Sequence, residues 1–243
     1  MPKLTIENLK VIYNNKKGQE TIALDGFSYS FNEGSLHAII GFSGCGKTTL
    51  LRAILGFVDY QGKILFDNVD AIDLTTQERN ISYVSQQYIL YPHLTIFDNI
   101  ASPLKIAKAP KEEIKERVKA VAQYLGIEHC LTRKPRHLSG GQQQKVALAR
   151  AIIKKSQLYL FDEPLSNFDK QGRSEVRLMI KKFIKENNVT ALYVTHDFQE
   201  AMTIADNIVV INNGKVIASG SPKEIYESKN PIVNQLKCGV NDE

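Results

Sequence analysis

A glycine-rich run ending in lysine and threonine has the residue types needed to bind phosphate. The segment Gly41-Phe42-Ser43-Gly44-Cys45-Gly46-Lys47-Thr48 fits G-x-x-x-x-G-K-[ST] and lies between an apolar run and a helical pattern. Glycines let backbone N–H groups turn toward phosphate oxygens, and a helix N-terminus adds positive partial charge. Lys47 would contact the β- and γ-phosphates of a nucleoside triphosphate, and the Thr48 hydroxyl would hold Mg²⁺. A plain glycine-rich turn is the alternative, but a chance match in this length is on the order of 1 in 100.

Two adjacent carboxylates, Asp162 and Glu163, end a second apolar run that begins at Leu158. Charges inside a buried strand are very costly, so we expect both to emerge at its carboxyl end. Ligands of open α/β sheets bind at that edge. Asp162 can then support Mg²⁺, and Glu163 can orient or deprotonate an attacking water. A solvated strand end is the alternative, and the upstream phosphate loop favours the chemical interpretation.

The segment Leu138-Ser139-Gly140-Gly141-Gln142 precedes another helical pattern and resembles a second phosphate-facing helix N-terminus. The alternative is a helix that is simply N-capped by Ser139. A nucleoside triphosphate needs only one such cradle. A second cradle therefore suggests that two copies of the chain close around shared nucleotide.

The elements that must position these residues alternate between strand and helix patterns. Such alternation predicts an α/β fold with a mostly parallel sheet covered on both faces. Alternating apolar residues at the N-terminus predict an additional antiparallel β layer, and residues 92–151 are typical of an inserted helical subdomain. We predict one domain over 1–228, with its core at 1–91 and 152–228, followed by a polar, loosely held tail at 229–243.

Several local signals predict where these elements turn, begin and end. Residues 14–18 form a polar turn between two strand patterns, and Asn212-Asn213-Gly214 predicts a hairpin. Gly56 and Gly126 suit helix C-termini. Ser221-Pro222-Lys223-Glu224 predicts a capping box that opens a last helix.

Composition excludes several other classes of protein. The chain has 243 residues, a net charge of +5 and three scattered cysteines without C-x-x-C spacing. Free thiols in a reducing compartment fit this pattern better than a disulfide scaffold. The basic excess is spread along the chain, so we expect no nucleic-acid partner. We also expect no signal peptide and no membrane span, so that any role at a membrane depends on a partner.

Taken together, the motifs resemble those of the nucleotide-binding subunit of an ATP-binding cassette (ABC) transporter. The family's phosphate loop matches Gly41 to Thr48, its signature matches Leu138 to Gln142, and its carboxylate strand matches Leu158 to Pro164. A chance LSGGQ in this length is on the order of 1 in several thousand. The resemblance implies a P-loop NTPase core, ATP and Mg²⁺, and a head-to-tail dimer in which Ser139 and Gly141 of one copy meet the γ-phosphate held by the other.

The same resemblance implies roles for further residues. Tyr13 would stack on adenine, Gln86 would touch Mg²⁺ or water, and His196 would contact the γ-phosphate. Asp169 would connect the two nucleotide sites. The implied catalytic residues are Glu163, His196, Lys47 and Gln86; the metal contacts are Thr48, Gln86 and Asp162; and the nucleotide contacts are Tyr13, Gly41, Ser43, Gly44, Cys45, Gly46, Lys47, Thr48, Thr49, Ser139, Gly140, Gly141, Gln142 and Asp169.

Two departures within the motifs lead to further expectations. The family more often has Ala-Leu before the aspartate matched by Asp169, whereas this chain has Asn167-Phe168. We therefore expect altered packing at this point. Cys45, inside the phosphate loop, would lie beside the nucleotide and make its binding sensitive to thiol reagents.

The resemblance to bacterial importers implies ATP hydrolysis that powers solute import through separate transmembrane permease subunits. The features of this type are Pro92-His93-Leu94-Thr95, Glu200-Ala201-Met202 and the segment Gly220 to Glu224. Residues Tyr88–Ile100 would receive a cytoplasmic helix of the permease. We also expect an extracytoplasmic solute-binding protein as partner and a peripheral location on the cytoplasmic face of the membrane.

Two alternatives stay open at the level of the sequence. One is the ATPase of an exporter, or of a lipoprotein-releasing or cell-division complex. The other is a soluble cassette protein acting on DNA or ribosomes. The second is disfavoured because the stretch from Lys47 to Leu138 is too short for a long coiled-coil insert.

Overall fold

The computed structural model describes residues 3–14, 20–166 and 168–239. Except for Asn14, the turn predicted at residues 14–18 therefore lies outside the described residues. Asn167 lies outside them as well. The strands are β1 (Leu4–Asn14), β2 (Glu20–Phe31), β3 (Leu36–Ile40), β4 (Gln61–Phe66), β5 (Val69–Asp70), β6 (Ile81–Val84), β7 (Leu158–Asp162), β8 (Thr190–Val194), β9 (Asn207–Asn212) and β10 (Lys215–Gly220). The helices are α1 (Lys47–Leu55), α2 (Ile96–Ile106), α3 (Lys111–Tyr124), α4 (Gly140–Ile152), α5 (Lys170–Asn187), α6 (Phe198–Ile204), α7 (Pro222–Glu227) and α8 (Pro231–Cys238).

The chain divides into two compact units. The first comprises residues 1–81, 157–162 and 183–243, and the second comprises 82–156 and 163–182. Strand β6 begins at the last residue before the first boundary, and helix α5 crosses the last boundary.

The N-terminal layer of the first unit is an antiparallel sheet with strand order β2-β1-β4-β5. Leu4, Ile6 and Leu9 of β1 are buried. The pairing of β1 with β2 shifts register between Ile6 and Leu9, and Asn8 there has a positive φ of 53°. Such a bulge lets the strand keep its apolar residues on the core side. The predicted N-terminal antiparallel β layer is confirmed.

A second sheet in the same unit has the strand order β10-β9-β3-β8-β7. Strands β9, β3, β8 and β7 are parallel, whereas β10 pairs with β9 in antiparallel fashion. Every residue of β3, β7 and β8 is buried, as expected for parallel strands covered on both faces. Asn213 and Gly214 have φ values of 46° and 73°, which is the conformation of a type I′ hairpin turn. The mostly parallel sheet and the predicted hairpin are both present.

The second unit is mainly helical. Helix α3 buries Ile114, Val118 and Ala122, a spacing of four residues that places them on one face. Helices α2, α3 and α4 pack against one another. No helix among the described residues is long and apolar enough to cross a membrane.

The second unit is larger than the helical insertion expected at residues 92–151, because it also includes residues 82–91, 152–156 and 163–182. Contacts of α5 explain why residues 163–182 belong to it. The Tyr124 hydroxyl at the end of α3 donates a hydrogen bond to the Met179 carbonyl, at 2.8 Å. Lys145 of α4 pairs with Glu175 at 3.6 Å. The first part of α5 thus packs with the helices, although its sequence follows the carboxylate strand.

The C-terminal segment is more ordered than its polarity suggests. Helix α8 begins after Asn230, whose side chain accepts a hydrogen bond from the Ile232 backbone N–H. Val233 and Leu236 are three residues apart and buried. The expectation of a loosely held tail is therefore wrong for residues 231–238, because a capped turn and two apolar residues suffice to dock a short helix.

Candidate functional site

The phosphate loop occupies the turn between β3 and α1 in the first unit. Strand β3 is wholly buried and ends directly before the loop, so the loop emerges at the carboxyl end of a central strand. Gly46 has a φ of 106°, and a Cβ at this position would lie 2.5 Å from the Ala23 carbonyl oxygen. Only glycine fits here without displacement of the backbone. The predicted strand–loop–helix arrangement is present.

Lys47 lies within the loop and is hydrogen-bonded to it. Its Nζ donates to the Gly41 carbonyl at 2.7 Å and the Phe42 carbonyl at 2.8 Å, and it lies 3.7 Å from the Cys45 sulfur. An ammonium group has three N–H donors. Contact with a phosphate oxygen therefore requires the ammonium to exchange at least one of these bonds.

Thr48 and Asp162, predicted to share a metal ion, lie together although 114 residues separate them. The Thr48 hydroxyl donates to the Asp162 carboxylate at 3.3 Å. Asp162 is the last residue of β7 and only 2% exposed. Hydroxyl and carboxylate oxygens are ligands that Mg²⁺ prefers, together with water and substrate phosphate. The pair therefore fits Mg²⁺.

The other predicted nucleotide contacts of the first unit lie on its surface or at its edge. Ser43 is exposed, and Thr49 is half-buried in the first turn of α1. Tyr13 lies near the end of β1, paired with Thr21, and is 36% exposed. His196 is exposed in the turn between β8 and α6.

Cys45 does not have the exposure that thiol reactivity requires. Its side chain is 5% exposed. Burial raises the pKa of the Cys45 thiol, an effect that the nearby Lys47 ammonium only partly opposes. Since the thiolate is the reactive form, the structure contradicts the expected sensitivity of Cys45 to thiol reagents.

Gln86 and Glu163 are brought together in the second unit. The Gln86 amide donates to the Glu163 carboxylate at 3.2 Å. Glu163 has a φ of 46°, an uncommon conformation for a residue other than glycine. This conformation ends the extended backbone directly after Asp162. The Pro164 carbonyl that follows accepts a hydrogen bond from the Gln144 side chain of α4. The turn carrying Glu163 is thus held by polar contacts.

The signature segment begins α4 with a capping box. The Ser139 hydroxyl accepts from the Gln142 backbone N–H at 3.3 Å, and the Gln142 side chain accepts from the Ser139 backbone N–H at 3.1 Å. The N-cap interpretation is therefore realised in the structure. Ser139 and Gly140 are exposed, so this helix N-terminus is accessible from solvent.

Asp169 is the N-cap of α5. Its Oδ1 accepts from the Gly172 backbone N–H at 2.7 Å, and the residue is exposed. The half-buried ring of Phe168 lies beside Gly141 and Gly172. The departure from the family pattern at this position therefore places an aromatic ring against the signature helix.

A residue four positions after His196 was not among the predicted site residues. Glu200, in the first turn of α6, accepts hydrogen bonds from Tyr193 and Thr195. The sequence signal was Asp197 followed three residues later by Glu200, a spacing typical of a helix N-terminus. That pattern indicates a cap and carries no information about the strand residues that Glu200 contacts.

Comparison with known proteins places these features in a family context. Residues 24–166 match the family model described as ABC transporter. The trehalose/maltose import ATP-binding protein MalK of Thermococcus litoralis is 46% identical over 86% of this chain and 58% of its own length. The sn-glycerol-3-phosphate import ATP-binding protein UgpC of Psychromonas ingrahamii is 44% identical over 94% of this chain and 60% of its own length. This chain thus spans about three fifths of the curated relatives it matches.

A solved structure matches the fold. It is described as a dimeric post-hydrolysis state of the ATP-binding cassette MJ0796 bound to ADP and Pi. The match has a TM-score of 0.82 and 29% sequence identity, and it covers 90% of this chain and 98% of the other. The predicted α/β fold is confirmed.

Proposed function

This chain belongs to the ABC transporter family, and from that premise we propose that it is the ATP-hydrolysing subunit of a solute importer. The curated relatives named above are import ATP-binding proteins, and they support this direction of transport. The observation that carries the proposal is the phosphate loop at the end of β3, whose Thr48 meets the Asp162 carboxylate at the end of β7.

Lys47 and Thr48 bind the phosphates of ATP in this proposal. The Lys47 ammonium leaves a loop carbonyl for a β- or γ-phosphate oxygen, and the loop N–H groups hold the remaining oxygens. Thr48 and Asp162 would hold Mg²⁺, and Gln86 is the further contact that the family resemblance implies. When bound, Mg²⁺ supplies positive charge that offsets the charge developing on the phosphoryl oxygens. Thr49 and Ser43 add contacts to the phosphates, and Tyr13 stacks on adenine.

Glu163 orients the attacking water. Its carboxylate accepts a proton from that water as the water oxygen bonds to the γ-phosphorus and the bond to the bridging oxygen breaks. The Gln86 amide, which donates to the same carboxylate, limits the directions in which the carboxylate can point. His196 contacts the γ-phosphate and keeps it aligned with the water.

A second copy of the chain completes each site in this proposal. The exposed N-terminus of α4 has N–H groups and partial positive charge that suit a γ-phosphate held by the other copy. Ser139, Gly140, Gly141 and Gln142 supply this surface. Asp169, directly before α5, connects the two sites. The dimeric state of the matched solved structure supports this assembly.

Separate permease subunits carry the solute. Residues Tyr88–Ile100 begin two positions after Gln86 and form the proposed contact with a cytoplasmic helix of the permease. An extracytoplasmic solute-binding protein delivers the solute, and the ATPase lies peripherally on the cytoplasmic face of the membrane.

The test combines single variants with mixed dimers. We expect Lys47→Ala to abolish ATP hydrolysis and Glu163→Gln to arrest turnover while ATP binding persists. Lys63→Ala, at an exposed position on β4, serves as the matched control and keeps full activity. Mixing Lys47→Ala with Ser139→Ala copies should restore part of the activity, because one of the two sites in a mixed dimer is intact. Full activity of Lys47→Ala would refute the proposed reaction, and failure of every mixture would refute the shared site.

A further inference from the structure

The turn that carries His196 is joined to α6 by the carboxylates of Glu200 and Asp197. Glu200 Oε1 accepts from the Tyr193 hydroxyl at 2.8 Å, and Oε2 accepts from the Thr195 hydroxyl at 2.5 Å. Tyr193 lies in β8, and Thr195 follows the strand directly. Both are fully or nearly fully buried. The carboxylate therefore joins the first turn of α6 to the end of β8.

The other side of the turn is tied to the same group. The Thr195 oxygen accepts from the Asp197 backbone N–H at 3.0 Å, and the Asp197 side chain accepts from the Glu200 backbone N–H at 3.0 Å. His196 lies between Thr195 and Asp197. Its two neighbours in sequence are thus fixed through one network, whereas the imidazole itself is exposed.

The geometry of Glu200 differs from that of an ordinary capping glutamate in the same unit. Glu224, in the first turn of α7, accepts from the Ser221 backbone N–H at 2.7 Å and so closes a capping box. Glu200 has the same helical position but sends its carboxylate to Tyr193 and Thr195 of the preceding strand end. A hydroxyl group that donates to a carboxylate forms a stronger bond than one between neutral groups. The Glu200 carboxylate therefore binds the end of β8 and the histidine turn, whereas the Glu224 carboxylate caps its own helix.

We infer that Glu200 is a positioning residue for His196. Its carboxylate holds the Thr195 hydroxyl, and that hydroxyl accepts from the Asp197 backbone N–H, so the turn is kept in one conformation that presents the exposed imidazole to the γ-phosphate. This inference rests on the proposed function, because the contact between His196 and ATP is part of that proposal. Glu200 itself has no contact with ATP in it. Misplacement of a positioned group by about 1 Å can lower a rate by up to about a hundredfold.

The experiment measures kcat and KM for ATP hydrolysis in two backgrounds. Glu200→Ala removes both hydroxyl contacts, and Glu200→Gln keeps one acceptor oxygen. Each is made in the native chain and in His196→Ala. Glu224→Gln is the matched control, since it alters a glutamate at the same helical position whose carboxylate bonds Ser221. Thermal midpoints of all variants separate positioning from loss of folding.

We expect Glu200→Ala to lower kcat about tenfold with KM little changed, and Glu200→Gln to recover part of that loss. In the His196→Ala background, Glu200→Ala should change kcat less than about twofold, because no histidine is left to position. Glu224→Gln should leave kcat unchanged. An equal loss from Glu200→Ala in both backgrounds, or no loss in the native chain, would overturn the inference. Failure of the proposed function would show differently, as full ATP hydrolysis by Lys47→Ala.

Discussion

The stability of this protein should fall as pH drops from 6.5 toward 4, because of one buried histidine. His37 lies on β3, the strand that leads into the phosphate loop, and is 0% exposed. Its Nε2 accepts from the Asn32 backbone N–H at 2.9 Å, and its Nδ1 is buried with no hydrogen-bond partner among the described residues. Burial lowers the pKa of His37 to about 4, against smaller opposing effects of the Asn32 backbone and the Asp206 charge.

The size of this loss of stability follows from the pKa values of His37 in the folded and unfolded chains. An unfolded histidine has a pKa of 6.5. The unfolded chain therefore binds a proton at a pH where the folded chain does not, and protons favour unfolding. The loss of unfolding free energy caused by His37 is absent above pH 6.5. It grows as pH falls and reaches about 3 kcal/mol at or below pH 4. Between pH 7.5 and pH 5, His37 alone should lower the unfolding free energy by about 2 kcal/mol.

The assay compares the native chain with His37→Gln, whose amide oxygen can still accept from Asn32 but does not titrate. Urea unfolding is followed by circular dichroism at pH 7.5, 6 and 5, since the chain has no tryptophan. The difference in unfolding free energy between the two proteins should shift by about 2 kcal/mol in favour of the variant as pH falls from 7.5 to 5. His129→Gln, at an exposed position, should show no such shift. A constant difference across this range, or a His37 resonance that titrates near pH 6.5, would refute the reasoning.

Three further changes test other features of the structure. Gly46→Ala should lower the unfolding free energy by more than about 1 kcal/mol and weaken ATP binding, since its Cβ would lie 2.5 Å from the Ala23 carbonyl oxygen; unchanged urea unfolding would contradict this. Iodoacetamide should modify exposed Cys238 well before buried Cys45, as measured by mass spectrometry of peptides, and faster labelling of Cys45 would contradict its raised thiol pKa. Ser221→Ala should lower the unfolding free energy by about 1 kcal/mol through loss of the α7 capping box while ATP hydrolysis is unchanged, and a stability equal to that of the native chain would show that the cap is dispensable.

Much of the candidate site could be predicted because its parts are local patterns. The phosphate loop, the carboxylate pair and the signature each occupy eight or fewer consecutive residues. Each also lies at the junction of two elements that hydrophobic periodicity identifies. The pairing of Thr48 with Asp162 follows from this logic, since Thr48 begins the helix after β3, Asp162 ends β7, and both strands belong to one mostly parallel sheet.

The features that the sequence did not reveal depend on contacts between distant elements or on burial. Polar composition suggested a loose tail, but Val233 and Leu236 give α8 an apolar side that docks. Cys45 was expected to be reactive because of its place in the loop, whereas packing buries its sulfur. The segment 163–182 joined the second unit because Met179 and Glu175 contact α3 and α4.

The amino-acid sequence by itself determined the family, the order of strands and helices, and which residue types are available for phosphate chemistry. Those properties depend on neighbours a few positions apart, so short-range spacing encodes them. Only the tertiary structure decided that Lys47 is hydrogen-bonded to its own loop and that Glu200 accepts a hydrogen bond from the residue after β8. It also decided that His37 is buried, which lowers its pKa to about 4. Hydrogen-bond partners and desolvation depend on which atoms the completed fold brings within a few ångströms, and one-dimensional spacing does not contain that information.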